Sequence, residues 1–140
     1  MRKKYELIDG QPRVTESGAR LHQIRALRDI PSIGIKAGEL GGWIEKEDNL
    51  SQKGNCWVFP HSFVYDNATV SGNACVGGGA QISGEARLTD DTRVWKARVY
   101  DRVTLKGFAR VMENVHVYGD AIIETDVTET IHGYPDPDPT

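Results

Sequence analysis

Residues 56–88 read CWVFPHSFVYDNATVSGNACVGGGAQISGEARL, and within them an aliphatic side chain returns at every sixth position: Val58, Val64, Val70, Val76, Ile82 and Leu88. The series continues to Val94, takes one five-residue step, and resumes at Val99, Leu105, Val111, Val117 and Ile123. Two residues before most of these positions stands a small or β-branched side chain: Ala68, Ala74, Ala80, Ala86, Thr92, Ala97, Ala109 or Ala121. Turn formers follow two or three residues after several of them, as in Asp66-Asn67, Gly72-Asn73, Gly78-Gly79, Asp90-Asp91 and Gly119-Asp120.

A helix buries a residue every three or four positions, so an isolated aliphatic every six, with a second inward residue two before it, does not fit a helical face. It fits a short strand, a corner and another short strand. Three hexads close one turn, and stacked turns make parallel sheets whose strands lie roughly 4.8 Å apart. The twelve positions predict four full coils, a stack on the order of 20 Å.

This pattern, over Cys56 to Ile123, resembles the hexapeptide-repeat proteins that fold as left-handed parallel β-helices. The left hand comes from that resemblance alone, since the general rule for parallel crossovers favours the right. The expected fold is therefore all-β: a triangular left-handed parallel β-helix of about four to five coils with an N-terminal β-hairpin cap. Residues 1–32 read as the cap, from strand-like Tyr5–Ile8 and Leu21–Leu27 joined by a turn-rich link. Residues 33–131 read as the repeat, opening with a degenerate coil around Trp43, Ile44 and Leu50 whose Gly38, Gly41 and Gly42 suit tight corners. Residues 132–140 are a Pro/Asp-rich tail whose prolines lack the donor a further rung needs, so the sheet is expected to stop near Ile131. A second reading of that tail is an extended peptide offered to a partner.

The opening, from Lys4-Tyr5-Glu6-Leu7 through Ile24–Asp29, Lys36–Ile44 and Asn49–Gln52 to Gly54-Asn55-Cys56-Trp57-Val58, is similar to poorly characterised phage and prophage proteins with β-helical tails. That resemblance implies a viral origin rather than a chemistry.

At 140 residues the chain suits one domain, with no apolar run long enough for a signal peptide or a membrane span, and a cytoplasmic location is expected. Alternation along a strand sends Cys56 inward and Cys75 outward, so free thiols are expected. A net charge of −3 conceals a cationic stretch: Arg87 to Arg110 holds seven basic and three acidic residues.

If each repeat residue faces in, its neighbours face out on three walls. The wall on Val58, Val76, Val94 and Val111 shows Trp57, Phe59, Cys75, Arg93, Trp95, Arg110 and Met112. The wall on Val64, Ile82, Val99 and Val117 shows Phe63, Tyr65, Arg98, Tyr100, His116 and Tyr118, and the third wall is mostly polar. Apolar side chains gathered on two adjoining walls predict self-association through Trp57, Phe59, Phe63, Tyr65 and Met112. Trimers are common in the hexapeptide-repeat family, so a trimer is expected in preference to a dimer. The alternative is that the hairpin covers these aromatics.

Arg93, Trp95, Arg98, Tyr100, Arg110, His116 and Tyr118 form the candidate binding set, since arginine clamps phosphate and aromatic rings stack on bases. Carboxylates of neighbouring subunits are the competing answer to those charges. A nucleotide-type small molecule or a host defence protein is the partner class considered; the negative overall charge disfavours nucleic acid.

Hexapeptide-repeat enzymes chiefly transfer acyl groups with a histidine base, or bind zinc between subunits. Here His22, His61, His116 and His132 form no close pair, and only His116 belongs to the cluster of Arg93, Arg98 and Arg110. No catalytic residue, metal ligand or cofactor is assigned, and a non-enzyme is expected. The leading expectation is a phage accessory protein that blunts bacterial immunity by sequestering a nucleotide signal or occupying a defence protein. An acyltransferase-like enzyme and a structural or virion-associated module are the alternatives.

Overall fold

The structure, a computed structural model, describes residues 3–133. The repeat residues build three walls of short parallel strands. The N-terminal strands are β1 (Tyr5–Leu7), β2 (Arg13–Val14), β3 (Arg20–Ala26) and β4 (Leu40–Ile44). The repeat contributes β5 (Trp57–Val58), β6 (Phe63–Val64), β7 (Thr69–Val70), β8 (Cys75–Gly77), β9 (Gln81–Ile82) and β10 (Arg87–Leu88). It continues with β11 (Arg93–Trp95), β12 (Arg98–Val99), β13 (Thr104–Leu105), β14 (Arg110–Met112), β15 (His116–Gly119), β16 (Ile122–Ile123) and β17 (Ile131–Gly133). No α-helix occurs among the described residues.

One wall orders β14-β11-β8-β5, the second β16-β13-β10-β7, and the third runs β4-β6-β9-β12-β15-β17. The register stacks like on like: Val94 pairs with Val76 and Val111, Val99 with Ile82 and Val117, and Leu88 with Val70 and Leu105. The twelve repeat positions from Val58 to Ile123 are all buried, and the alanines two before them line the same interior, save half-buried Ala121. The chain is thus a β-solenoid of about four turns. A partial further coil follows, in which Val127 bridges to Val111 and β17 pairs with β15. Its steps from Ile123 to Val127 and Ile131 are only four residues, which is why the six-residue spacing does not show it. Gly133 closes the described part, so residues 134–140 of the Pro/Asp-rich tail lie outside it.

Each coil must return to the same perimeter, and the corners enforce this with residues of positive φ. On one edge Asp66 (φ 58°), Gly84 (φ 67°), Asp101 (φ 61°) and Gly119 (φ 91°) alternate from coil to coil. The Asp66 carboxylate accepts the Gly84 N–H at 3.1 Å, and Asp101 accepts the Gly119 N–H at 3.0 Å. Asp90 does the same for Gly107 at 2.8 Å on the next edge. Aspartate tolerates the left-handed region and supplies an acceptor, while glycine leaves room: a Cβ on Gly84 would lie 2.8 Å from the Asp101 nitrogen.

At the N-terminal end the third wall changes direction. β4 is parallel to β6 but antiparallel to β3, which in turn is antiparallel to β1 and β2. The hairpin therefore extends one wall rather than merely lying over the opening. Gly41 and Gly42, expected at corners, sit inside β4 instead. Cβ atoms there would lie 2.7 Å from the Val58 oxygen and 2.5 Å from the Ser62 oxygen, so glycine is required for close approach of two coils.

Gln52 seals this end with its side chain acting as a rung: its oxygen accepts the Lys4 and Tyr5 N–H groups at 2.8 and 3.2 Å, and its nitrogen donates to the Tyr5 carbonyl at 3.1 Å. The buried Tyr5 hydroxyl donates to the Leu50 carbonyl, and burial pushes its pKa far above the ordinary tyrosine value. Buried Asn49 satisfies four main-chain groups, accepting from Glu45 and Lys46 and donating to Asp66 and Ala68.

Two substitutions test this account by chemical denaturation. Leu88→Ala, in the middle of the stack, is expected to lower stability by about 2–5 kcal/mol. Gly84→Ala is expected to lower it by about 1–3 kcal/mol, more than Gly79→Ala, whose Cβ meets nothing within 4 Å.

Candidate functional site

The walls sort the predicted binding residues into two groups that meet at one corner. Arg93 stands in register with Arg110, and Trp95 with Met112, on the β5-β8-β11-β14 wall. Arg98 stands in register with Gln81 on one side and His116 on the other, on the β4-to-β17 wall. Tyr100 and Tyr118 follow on the same rungs, their rings stacked at 5.2 Å with an interplanar angle of 4°. His116 meets the Tyr100 ring edge-on at 6.4 Å. Burial pushes the Tyr100 hydroxyl pKa up, aided by Tyr118 and Asp101 and opposed by Arg98.

The corner between the two groups carries the five-residue step. Lys96 takes a left-handed conformation (φ 56°), its N–H donates to the Gly77 carbonyl at 3.2 Å, and its carbonyl accepts the Asn114 N–H. Beside it Gly78 is covered by the Trp95 ring and the Lys96 stem, while Gly79 faces open space, where a Cβ would meet nothing within 4 Å. An open recess of about 360 Å³ results, lined by Gly78, Gly79, Gln81, Lys96, Arg98 and His116 among others. A second recess of about 440 Å³ runs between the Val14–Ser17 turn and the same wall, against Phe63, Tyr65, Gln81 and Arg98. A third, about 120 Å³, is bounded by Tyr65, Gln81, Ser83, Arg98, Tyr100 and His116. Gln81 and Arg98 belong to all three, so the concave surface of this wall centres on them.

Charge on the walls is unevenly answered. Arg102 pairs with Asp120, and Lys106 with Glu124 at 3.3 Å. Among the described residues, no carboxylate lies within ion-pair distance of Arg93, Arg98 or Arg110. Like charges at Arg93 and Arg110 on adjacent rungs repel, and both reach into solvent. Arg98 is different, because recesses flanked by rings and amides surround it. No group of three or more His, Cys, Asp or Glu side chains among the described residues is arranged to hold a metal.

The aromatic wall departs from expectation at Trp57. Its side chain is 0 % exposed and belongs to the core cluster with Tyr5, Ile30 and Ile35, meeting the Tyr5 ring edge-on at 6.4 Å. Trp57 is therefore removed from any subunit interface by the N-terminal segment, whose apolar residues cover the outer surface of the first coil. Phe63 is half-buried beneath the Arg13 guanidinium, 5.5 Å from its ring, and the same cation lies 5.1 Å from the Trp43 ring. Phe59 and Tyr65 are also half-buried, while Met112 is 43 % exposed. Cys75, expected to face outward, is fully buried between Trp57 and Arg93 in register; burial pushes its thiol pKa up and Arg93 opposes the rise. Both cysteines are free.

Trp95, 37 % exposed, lies flat on Gly77 and Gly78: Cβ atoms there would come within 2.1 and 2.6 Å of its ring. Phe59 meets its edge at 5.6 Å. The run Gly77-Gly78-Gly79 thus seats a tryptophan as well as turning a corner. Sequence reasoning did not pick out Gln81, Lys96 and Asn114, which line the first recess, or Arg13. Their signal was available in part, since Gln81 flanks Ile82 one coil before Arg98 and Lys96 lies within the five-residue step.

Residues 62–78, which run from the turn before β6 to the corner after β8, match the YdcK β-solenoid repeat family. Over 50 residues the chain is 38 % identical to the uncharacterized acetyltransferase YdcK of Escherichia coli (strain K12), a match covering 36 % of this chain and 15 % of that protein. No helix among the described residues is long and apolar enough to cross a membrane.

The seat of Trp95 is open to test by acrylamide quenching. Gly77→Ala is expected to lift the ring and raise the accessible fraction of tryptophan fluorescence more than Gly79→Ala, whose added methyl meets nothing within 4 Å.

From the like-on-like register of its three parallel walls and the solenoid repeat it shares, the chain has the fold of the hexapeptide-repeat β-helix proteins.

Proposed function

We propose that this protein is a non-enzymatic binding module that holds a nucleotide-type anion on the outer face of the β4-to-β17 wall. The convergence of three recesses on Arg98, which lacks an ion-pair partner among the described residues, carries this reading. Arg98 supplies a planar, permanently charged fork for a phosphate, Lys96 a second positive charge across the recess, and Gln81 an amide with both donor and acceptor capacity. Tyr65 and the Tyr100–Tyr118 stack offer faces for a base. His116 offers an imidazole ring nitrogen to the ligand. Sequestration of a nucleotide signal is the biological role such a binder would serve.

Calorimetry with purified protein and a panel of nucleoside diphosphates, cyclic dinucleotides and inorganic pyrophosphate tests the reading. Binding is expected for at least one nucleotide and to weaken about 10- to 100-fold in Arg98→Ala, the loss of one charge-assisted contact. Tyr100→Ala is expected to weaken nucleotide but not pyrophosphate binding. If no panel member binds, or if Arg98→Ala binds as well as wild type, the reading fails.

The name of the YdcK relative and the position of His116 in the cationic recess favour one rival, an acyltransferase. In that reading His116 is the general base beside a thioester cofactor. Tight coenzyme A binding with acetyl-transfer activity that disappears in His116→Ala would replace the binding-module reading with this one.

A further inference from the structure

Lys4 is an ammonium-bearing side chain with no exposed surface, and burying such a group is unfavourable unless it is paired. Its nitrogen donates to the Cys56 carbonyl at 2.7 Å and to the Lys53 and Gly54 carbonyls at 3.4 Å, and lies 3.1 Å from the Cys56 sulfur. Those carbonyls belong to the corner at the open end of the solenoid, and Arg28 shares one of them, donating to Gly54 at 3.1 Å. Capping carbonyls needs a cation but no thiol. In register the later coils place Ala74, Thr92 and Ala109 where this coil has Cys56, so the interior does not require sulfur there. The thiol stands at the one end where an amine reaches into the coil.

We propose that Lys4 and Cys56 are an oxidatively closed covalent latch, in which a hydroperoxide converts the thiol to a sulfenic acid and the Lys4 amine captures that sulfur as a sulfenamide. In the first step the sulfur electron pair takes one oxygen from hydrogen peroxide, the O–O bond breaks, and the thiol proton leaves with the departing hydroxide as water. In the second the Lys4 nitrogen attacks the sulfur, the S–O bond breaks, and the nitrogen loses a proton to the leaving hydroxide, giving a second water. Thiol, amine and peroxide thus yield an N–S bond and two waters; sulfur is oxidised and peroxide reduced by two electrons. Two equivalents of a small thiol reverse the link, regenerating both side chains and forming the small disulfide.

Burial lowers the Lys4 pKa, with Arg28 adding to the effect and the Cys56 sulfur opposing it, which favours the neutral amine that the second step requires. Hydrogen peroxide is water-sized and reaches the sulfur when the chain near β1 opens locally, the least costly opening in a stack whose ends have one neighbour. The link joins positions 52 residues apart and ties β1 to the solenoid. By restricting the unfolded chain it raises the melting midpoint.

The test is mass spectrometry of the full chain after hydrogen peroxide treatment. The expected result is an intact mass lower by two hydrogens, a proteolytic fragment pair joined through Lys4 and Cys56, and recovery of the original mass with dithiothreitol. The pair is expected to be absent from Lys4→Arg and Cys56→Ala and retained in Cys75→Ala. Circular dichroism is expected to show Cys56→Ala folded, since alanine occupies the same place one coil on. A folded wild-type protein that gives no joined pair, or only sulfinic or sulfonic acid at Cys56, overturns the proposal and leaves Lys4 as a carbonyl cap. This result is independent of whether a nucleotide binds the β4-to-β17 wall.

Discussion

Everything in this molecule depends on coils stacking in register, so that each interior side chain meets its own kind above and below. A single coil has no core: three aliphatic residues and three small ones enclose too little apolar surface to offset the entropy of ordering the chain. Val94 between Val76 and Val111, or Leu88 between Val70 and Leu105, acquires a dry environment only because the neighbouring coils have the same perimeter. The corners are where that perimeter is set. Alternating aspartate and glycine in left-handed conformations turn the chain sharply, and the aspartate carboxylates take up amide donors that the corner would otherwise leave unpaired.

A stack of this kind has two ends, and an uncovered end exposes both apolar interior and unpaired main-chain groups. At the N-terminal end the chain answers both needs with few residues. Gln52 imitates a rung with its side-chain amide, Tyr5 fills the interior and caps the Leu50 carbonyl, and Lys4 gathers the carbonyls of the adjacent corner. β3 and β4 meanwhile convert a parallel wall into an antiparallel one, so that the wall ends in a hairpin rather than a free parallel edge. The same segment buries Trp57, removing the largest aromatic side chain from the surface expected to drive assembly.

The outer faces are free of the stacking constraint, so their side chains answer to other requirements. One wall satisfies its charges locally, as Lys106 does with Glu124. The β4-to-β17 wall does not: Arg98 stands open among rings and amides, and the shortened corner beside it creates concave space on an otherwise flat prism. The shortened corner puts Lys96 in a left-handed turn, and it lines the recess together with Gly79, Gln81 and Arg98.

The six-residue spacing by itself determined the three walls, the inward face of each strand and the register of Arg98 with His116, because a period shared with the backbone geometry leaves one way to bury the aliphatic set. The order of charges likewise placed the cationic stretch, and strand alternation kept Cys56 and Cys75 as free thiols. Only tertiary structure decided what covers the walls. Burial of Trp57 and Cys75, the seating of Trp95 on Gly77 and Gly78, and the Lys4–Cys56 contact all join segments whose spacing carries no repeat, so no local pattern announces them. The partial last coil escaped for a related reason: its steps of four residues close the same perimeter with tighter corners, and only neighbours already in place show where Val127 and Ile131 dock.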